Sequence, residues 1–243
     1  ANTRLQLAIR RLLALRITPQ AAIFTGDLVD RGDIIEYETL EQLIQPLRER
    51  MPVYLLIGNH DHRERFKAAT HPPPRRANET EQNWVQFSAS LTPGHRLIAL
   101  DSVKHGQDEG VLCDARLAWL EQMLDEYANE QIVLAVHHPP FKSGNERFDG
   151  IGLTNVPALQ MRIKPRQNIR LVICGHLHRA VSATIGHIPV VAAPSTAHPY
   201  GIDHATGFKR DPNDELPGFS LHRLMADQGW VSHHVWFDPH KTT

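Results

Sequence analysis

The chain has 243 residues, 41% of them apolar and 22% charged, which fits an ordinary soluble globular protein with a sizeable core and excludes a disordered or fibrous one. A formal net charge of −1 gives no basis for a nucleic-acid or membrane-surface partner. No apolar run approaches the roughly 18 residues of a spanning helix, and the two cysteines, Cys113 and Cys174, make no disulfide framework, so a reducing cytoplasm is the expected compartment.

The chain opens "ANTRLQLAIRRLLAL", with Leu5, Ala8, Ile9, Leu12 and Leu13 at helical spacing. An α/β domain usually begins with a strand, so this opening reads as the remains of a longer chain. "AAIFTGD" after Pro19 reads as a buried strand, "EYETLEQLI" as a helix with Tyr37, Leu40 and Ile44 on one face, and "PVYLLIGNHD" as a second strand. "HRLIALDS" and "EQIVLAVHHPP" are the third and fourth, separated by a helix over 114–127. Asp114 is expected to cap that helix, with Leu117, Leu120, Leu124 and Tyr127 on its buried face. A helix near 156–164 precedes "IRLVICGHLH". In the tail, "PVVAAPS", "FSLHRLM" and "WVSHHVWF" read as short strands. Strand–helix alternation with a β-rich tail predicts one α/β domain over 1–243: a sheet with helices on its faces and a second sheet packed against it. Three aperiodic stretches, 70–83, 141–153 and 198–217, are expected to rim a binding cleft. "RERFK" reads as a charged helix face and nothing more, and Cys174 as core packing.

Four strands end in potential ligands: Asp27 in "TGDLVDRG", Asn59, His60 and Asp61 in "GNHD", His137 and His138 in "HHPP", His176 and His178 in "GHLH". Ligands of open α/β sheets bind beyond the carboxyl ends of the strands, so these blocks can converge although far apart in sequence. Oxygen and imidazole donors without thiolate suit Mn²⁺, Fe²⁺ or Zn²⁺. Alone, each block has an ordinary reading: a Gly-Asp turn, a strand stopped by proline, a surface histidine pair. Together, each at a strand end, they point to a metal centre. His233 and His234 lie on opposite faces of a strand and cannot share a site, and His71 reads as solvated loop. Arg31 reads either as a phosphate contact or as a partner for Asp30.

The order of blocks resembles the calcineurin-like metallophosphoesterase family, whose pattern is D-x-H, G-D, G-N-H-[DE], a histidine, then G-H-x-H. Its last four blocks stand here as Gly26-Asp27, Gly58-Asn59-His60-Asp61, His137 and Gly175-His176-Leu177-His178. The flanks look most like the bacterial branch with cyclic-nucleotide and glycerophosphodiester phosphodiesterases. The resemblance implies a four-layer α/β/β/α sandwich and two divalent metal ions bridged by Asp27. Asn59, His137 and His176 would complete one shell and His178 would bind the other ion. It also implies that His60 contacts the phosphate and helps the leaving group depart, with Asp61 orienting it by hydrogen bonding. His138 and His198 are expected near the substrate. The D-x-H block, which in the family supplies two ligands on a first strand ahead of the first helix, is absent. Truncation explains both that and the helical start; natural loss is the alternative. The implied activity is hydrolysis of small phosphodiesters (3′,5′-cyclic AMP or glycerophosphodiesters) by a metal-bridging hydroxide. A phosphomonoesterase and a non-catalytic scaffold of the same fold are the rivals, and self-association is left open.

Overall fold

The computed structural model describes residues 1–71, 83–201, 215–225 and 229–240. Helix α1 (Asn2–Leu13) leads into strand β1 (Ala22–Thr25), helix α2 (Ile34–Arg48) and strand β2 (Val53–Leu56). Helix α3 (Arg63–Ala69) follows, then β3 (Phe87–Thr92), β4 (His95–Leu100), α4 (Asp114–Glu126), β5 (Gln131–Val136), α5 (Glu146–Gly150), α6 (Val156–Ile163) and β6 (Ile169–Cys174). Strands β7 (Val181–Ile185), β8 (Ile188–Ala192), β9 (Gly218–Met225) and β10 (Gly229–Trp236) complete it. Strands β1 and β2 form a parallel pair, β9 and β10 an antiparallel hairpin, and the remaining six a sheet ordered β3-β4-β5-β6-β8-β7. The central strands β4, β5, β6 and β8 are parallel, with antiparallel edges.

Three apolar clusters sort these elements into four layers. Ile9, Tyr37, Ile44 and Phe66 of α1–α3 pack on Val53 and Leu55. The opposite face of the pair, through Leu56 and Ile23, meets Leu97, Val133 and Leu171 of the six-stranded sheet, and Trp230 joins them from β10. The far side of that sheet, including Ile98, Leu134 and Val172, is covered by Leu120 and Leu124 of α4 and by Leu159 and Ile163 of α6. The tail thus divides: β8 joins the main sheet, and only the β9–β10 hairpin adds to the second layer.

A strand buried on both faces cannot take its register from alternation. In β4, Leu97, Ile98 and Ala99 are fully buried on alternate faces, so the polar residue at the end sets the stop. That residue, Asp101, is itself fully buried, and Arg63 pairs with both of its oxygens, at 2.6 and 2.8 Å. The "RERFK" helix is therefore more than a charged face: Arg63 reaches the sheet and Phe66 is wholly buried. Asp114 does not cap α4; Cys113 occupies that position and Asp114 lies in the first turn, where its charge favours the helix N-terminus. Both cysteines are unpaired, Cys174 in the core. Edge strands β3 and β7, which pattern reading misses, mix small and polar residues at half-buried and exposed positions. Among the described residues no helix is long and apolar enough to cross a membrane.

Candidate metal centre

Register brings the polar blocks to one level. Thr25 stands opposite Leu56, while Leu100, Val136, Cys174 and Ala192 form a row across β4, β5, β6 and β8. The residues that follow are Gly26-Asp27, Ile57 to Asp61, His137-His138 and Gly175 to His178, and they meet at the carboxyl edge of both sheets. Glycine is required where they crowd. A Cβ on Gly58 would overlap the Asp27 carboxylate and the His137 ring, and one on Gly26, at φ 98°, would overlap His137 as well. Three non-glycine residues take left-handed backbone, Asp27 at φ 50°, His176 at 67° and His178 at 57°. Such conformations cost on the order of 1–3 kcal/mol each and persist where surroundings impose them. All three belong to this one cluster.

Asp27 lies at the middle. One carboxylate oxygen is 3.4 Å from His137 Nε2 and the other 3.9 Å from His178 Nε2. Burial would raise its pKa, but His137, His178 and His60 together outweigh burial and hold the carboxyl well below the usual range. Burial lowers the His137 pKa, yet Asp27 lifts it above the ordinary value. His137, itself buried, donates Nδ1–H to the Thr25 carbonyl at 2.7 Å, which turns Nε2 toward Asp27. His178 does the same with the His198 carbonyl at 2.7 Å, and His60 with the Asp30 carbonyl at 2.9 Å. Three rings are thus aimed by backbone carbonyls, those of His137 and His178 with Nε2 turned toward Asp27.

His176 completes the convergence. Its Nδ1 is 3.1 Å from Asn59 Oδ1 and 3.3 Å from His137 Nε2, and Asn59 Oδ1 is also 3.1 Å from His137 Nε2. Burial, then crowding by His138 and His137, depresses the His176 pKa well below the ordinary value, so the ring is neutral. A proton on Nδ1 can serve only one of these two acceptors, and it leaves Nε2 buried with no partner. A divalent cation among Asn59 Oδ1, His137 Nε2 and His176 Nδ1, beside Asp27, would take a lone pair from each of the three at once with the His176 proton moved to Nε2, so these residues fit a metal of the kind that oxygen and imidazole ligands hold. The second oxygen of Asp27 faces His178 Nε2 at 3.9 Å.

Two expected neighbours do something else. His138 is fully buried, with Nδ1 2.8 Å from the Ser102 hydroxyl and Nε2 3.0 Å from the Asp108 carbonyl. Although its ring nitrogens lie within 4.8 Å of those of His137 and His176, both are committed, and burial, then His137, pushes its pKa down to about 3. It anchors the 101–110 segment, with both ring nitrogens engaged inside the protein. Alternation carries the signal that separates the pair. Val133 and Ala135 face the β1–β2 layer and Ile132, Leu134 and Val136 face the helices, so continuing the phase sends His137 toward Asp27 and His138 away.

Asp61 does not orient His60. Its carboxylate accepts from Gly58 N at 2.7 Å, Leu28 N at 3.1 Å and the Tyr37 hydroxyl at 3.0 Å, while the His60 ring is held by Asp30. His60 is exposed; burial lowers its pKa, yet Asp27 and the Asp30 carbonyl lift it above the ordinary imidazole value. His198 acts on the cluster through its carbonyl, with Ser195 Oγ accepting its backbone N–H at 2.9 Å. Arg31 is 3.9 Å from Asp30, both well exposed. Of the rim stretches, residues 72–82 and 202–214 lie outside the described residues, whereas 141–153 folds into α5 and sets Phe148 edge-on to His176 at 6.1 Å. Asp27, His60, His137, His176, His178 and His198 all line one cavity of about 1070 Å³.

A two-sheet α/β fold with such a cluster at its carboxyl edge defines a metal-dependent esterase class. Residues 3–180 match the calcineurin-like phosphoesterase family, and this chain belongs to that family. It is 30% identical over 228 residues to a probable glycerophosphodiester phosphodiesterase of Arcobacter nitrofigilis, covering 90% of this chain and 78% of that one. It is 30% identical over 229 residues to a cAMP/cGMP dual-specificity phosphodiesterase of Mycobacterium tuberculosis, covering 93% and 70%. A probable cyclic nucleotide phosphodiesterase of Rhodopseudomonas palustris is 34% identical over 228 residues, 93% of this chain and 81% of that one. In fold the chain is similar to a dimetal phosphatase from Danio rerio, with a TM-score of 0.73, 14% identity and coverage of 98% and 89%. It is also similar to the Plasmodium inner membrane complex anchor GAP50, at TM-score 0.65, 12% identity and coverage of 97% and 80%.

Proposed function

We propose that this protein is a divalent-metal-dependent phosphodiesterase acting on small phosphodiesters of the cyclic-nucleotide or glycerophosphodiester type. The observation that carries the reading is the convergence of Asn59 Oδ1, His137 Nε2 and His176 Nδ1 within 3.1–3.3 Å of one another. Those three with Asp27 would hold one ion, and Asp27 with His178 would hold the second, as Mn²⁺, Fe²⁺ or Zn²⁺. Bound divalent ions supply the charge that makes water acidic near neutral pH and offsets the phosphate's charge. Asp27 keeps its carboxylate ionised to bind them, and the backbone carbonyls of Thr25 and His198 keep the ligand faces of His137 and His178 turned inward. His60, whose proton Asp27 and the Asp30 carbonyl help to hold against burial, then donates Nε2–H to a phosphate oxygen or passes that proton to the departing alkoxide. The unpaired cysteines accord with a reducing cytoplasm.

The names of the relatives support the diester class. The Plasmodium anchor shares the fold, so the fold alone does not decide activity; the preserved donor set favours an enzyme over a scaffold. Turnover of bis-p-nitrophenyl phosphate against p-nitrophenyl phosphate, with Mn²⁺ present, tests this. The diester is expected to react faster. Equal or faster monoester hydrolysis would favour the phosphomonoesterase, and no hydrolysis of either the scaffold.

A further inference from the structure

The loops that carry Asp27 and Asn59 come from different strands, and no backbone ladder joins them beyond Thr25 and Leu56. Besides the His60 N–H on Asp27 Oδ1 at 3.1 Å and the His60 ring on the Asp30 carbonyl, one buried carboxylate joins them. Asp61 Oδ2 accepts from Leu28 N in the first loop and Gly58 N in the second, and Oδ1 accepts from the Tyr37 hydroxyl. That hydroxyl accepts in turn from His62 N at 2.8 Å. Tyr37 is wholly buried on the core face of α2, its ring edge-on to Phe66 at 5.8 Å. A buried tyrosine hydroxyl needs a partner, and this one serves as donor and acceptor to the segment that bears Asn59.

We propose that Tyr37 is a positioning residue for the metal centre: through Asp61 its hydroxyl sets the spacing between the Asp27 and Asn59 loops. The inference rests on the metal-centre reading above. Without the hydroxyl, Asp61 Oδ1 loses its donor and the His62 amide its acceptor, and the carboxylate is free to rotate off Leu28 and Gly58. Outer-shell partners of this kind are worth about 10–100-fold in metal affinity.

The test is calorimetric titration of Mn²⁺ into metal-free wild-type protein, Tyr37→Phe and Phe66→Leu, with a thermal melt of each metal-free protein. Tyr37→Phe keeps the ring and removes only the hydroxyl; Phe66→Leu disturbs the same packing and leaves the hydrogen bonds. Tyr37→Phe is expected to weaken Mn²⁺ binding about tenfold, while Phe66→Leu lowers the melting temperature and binds Mn²⁺ like the wild type. Wild-type affinity in Tyr37→Phe, or equal weakening in both variants, overturns the proposal. If Tyr37→Phe does not fold, Asp61→Asn, which breaks the same brace at its centre, is expected to show the weakening, and wild-type affinity there overturns it too. Failure of the wild-type protein itself to take up Mn²⁺ overturns the metal-centre reading and the proposal with it.

Discussion

At the end of β6, His176 and His178 stand on left-handed backbone with ring nitrogens turned toward Asp27 and Asn59, whereas on the β9–β10 hairpin His222 and His234 each meet a serine across the ladder. There His222 Nδ1 is 2.7 Å from Ser232 Oγ and His234 Nδ1 is 2.9 Å from Ser220 Oγ. The register places these residues directly opposite one another, so a hydroxyl that can donate or accept satisfies each ring locally. At the β6 end the rings face other acceptors instead, and the surroundings hold them there against a strained backbone. The number of histidines in a region therefore says little. What separates the two regions is whether each ring nitrogen already has a partner that can share a proton with it.

The largest effect expected from that contrast is at His176. His176→Ala removes a ligand, so metal affinity should fall by more than the roughly hundredfold ceiling for outer-shell partners, and diester turnover should vanish while the circular dichroism spectrum is kept. Retained turnover at saturating Mn²⁺ would break the distinction. Gly58→Ala probes the crowding: a methyl placed against Asp27 and His137 should weaken Mn²⁺ uptake about tenfold or more, read by elemental analysis after desalting, and an unchanged metal content would show that the cluster tolerates expansion. His138→Ala sharpens the boundary from within the site. Loss of two buried hydrogen bonds should lower stability by about 3 kcal/mol in urea denaturation, with KM for a diester within about twofold of wild type; a large KM change with normal stability would restore a substrate contact.

The smallest effect belongs to the hairpin. Burial, then His234, pushes the His222 pKa down from 6.5 to about 4. Between those values the unfolded chain binds a proton that the folded one excludes, so stability falls as the pH drops from about 6.5 towards 4. His222→Asn should flatten that slope by on the order of 1 kcal/mol per pH unit, and leave metal content untouched. A slope identical in the variant would mean the ring is not kept neutral by the fold.

How much of this was legible beforehand varied with the range of the interaction. Each polar block closes an apolar strand run, so the gathering of Asp27, Asn59, His137 and His176 could be expected from strand ends alone. The separate fates of His137 and His138 were written in the alternation of β5. The role of Asp61 was not legible, because its neighbour His60 turns to Asp30 and its partners come from a helix and a loop more than twenty residues away. Tyr37 read as one more apolar residue on the face of α2; only the need of a buried hydroxyl for a partner hints otherwise. Strand β3 escaped because an edge strand of mixed burial carries neither a full apolar run nor a clean alternation, and β7 because its alternation, Val181, Ala183 and Ile185 against exposed Ser182 and Thr184, spans only five residues with small side chains.

The most direct test of the central claim is Mn²⁺ calorimetry on the metal-free protein, its His176→Ala variant and its His222→Ala variant. The account predicts at least one tightly held ion per chain, lost in His176→Ala and kept in His222→Ala. Absence of uptake in the wild type, or equal uptake by His176→Ala, would contradict it.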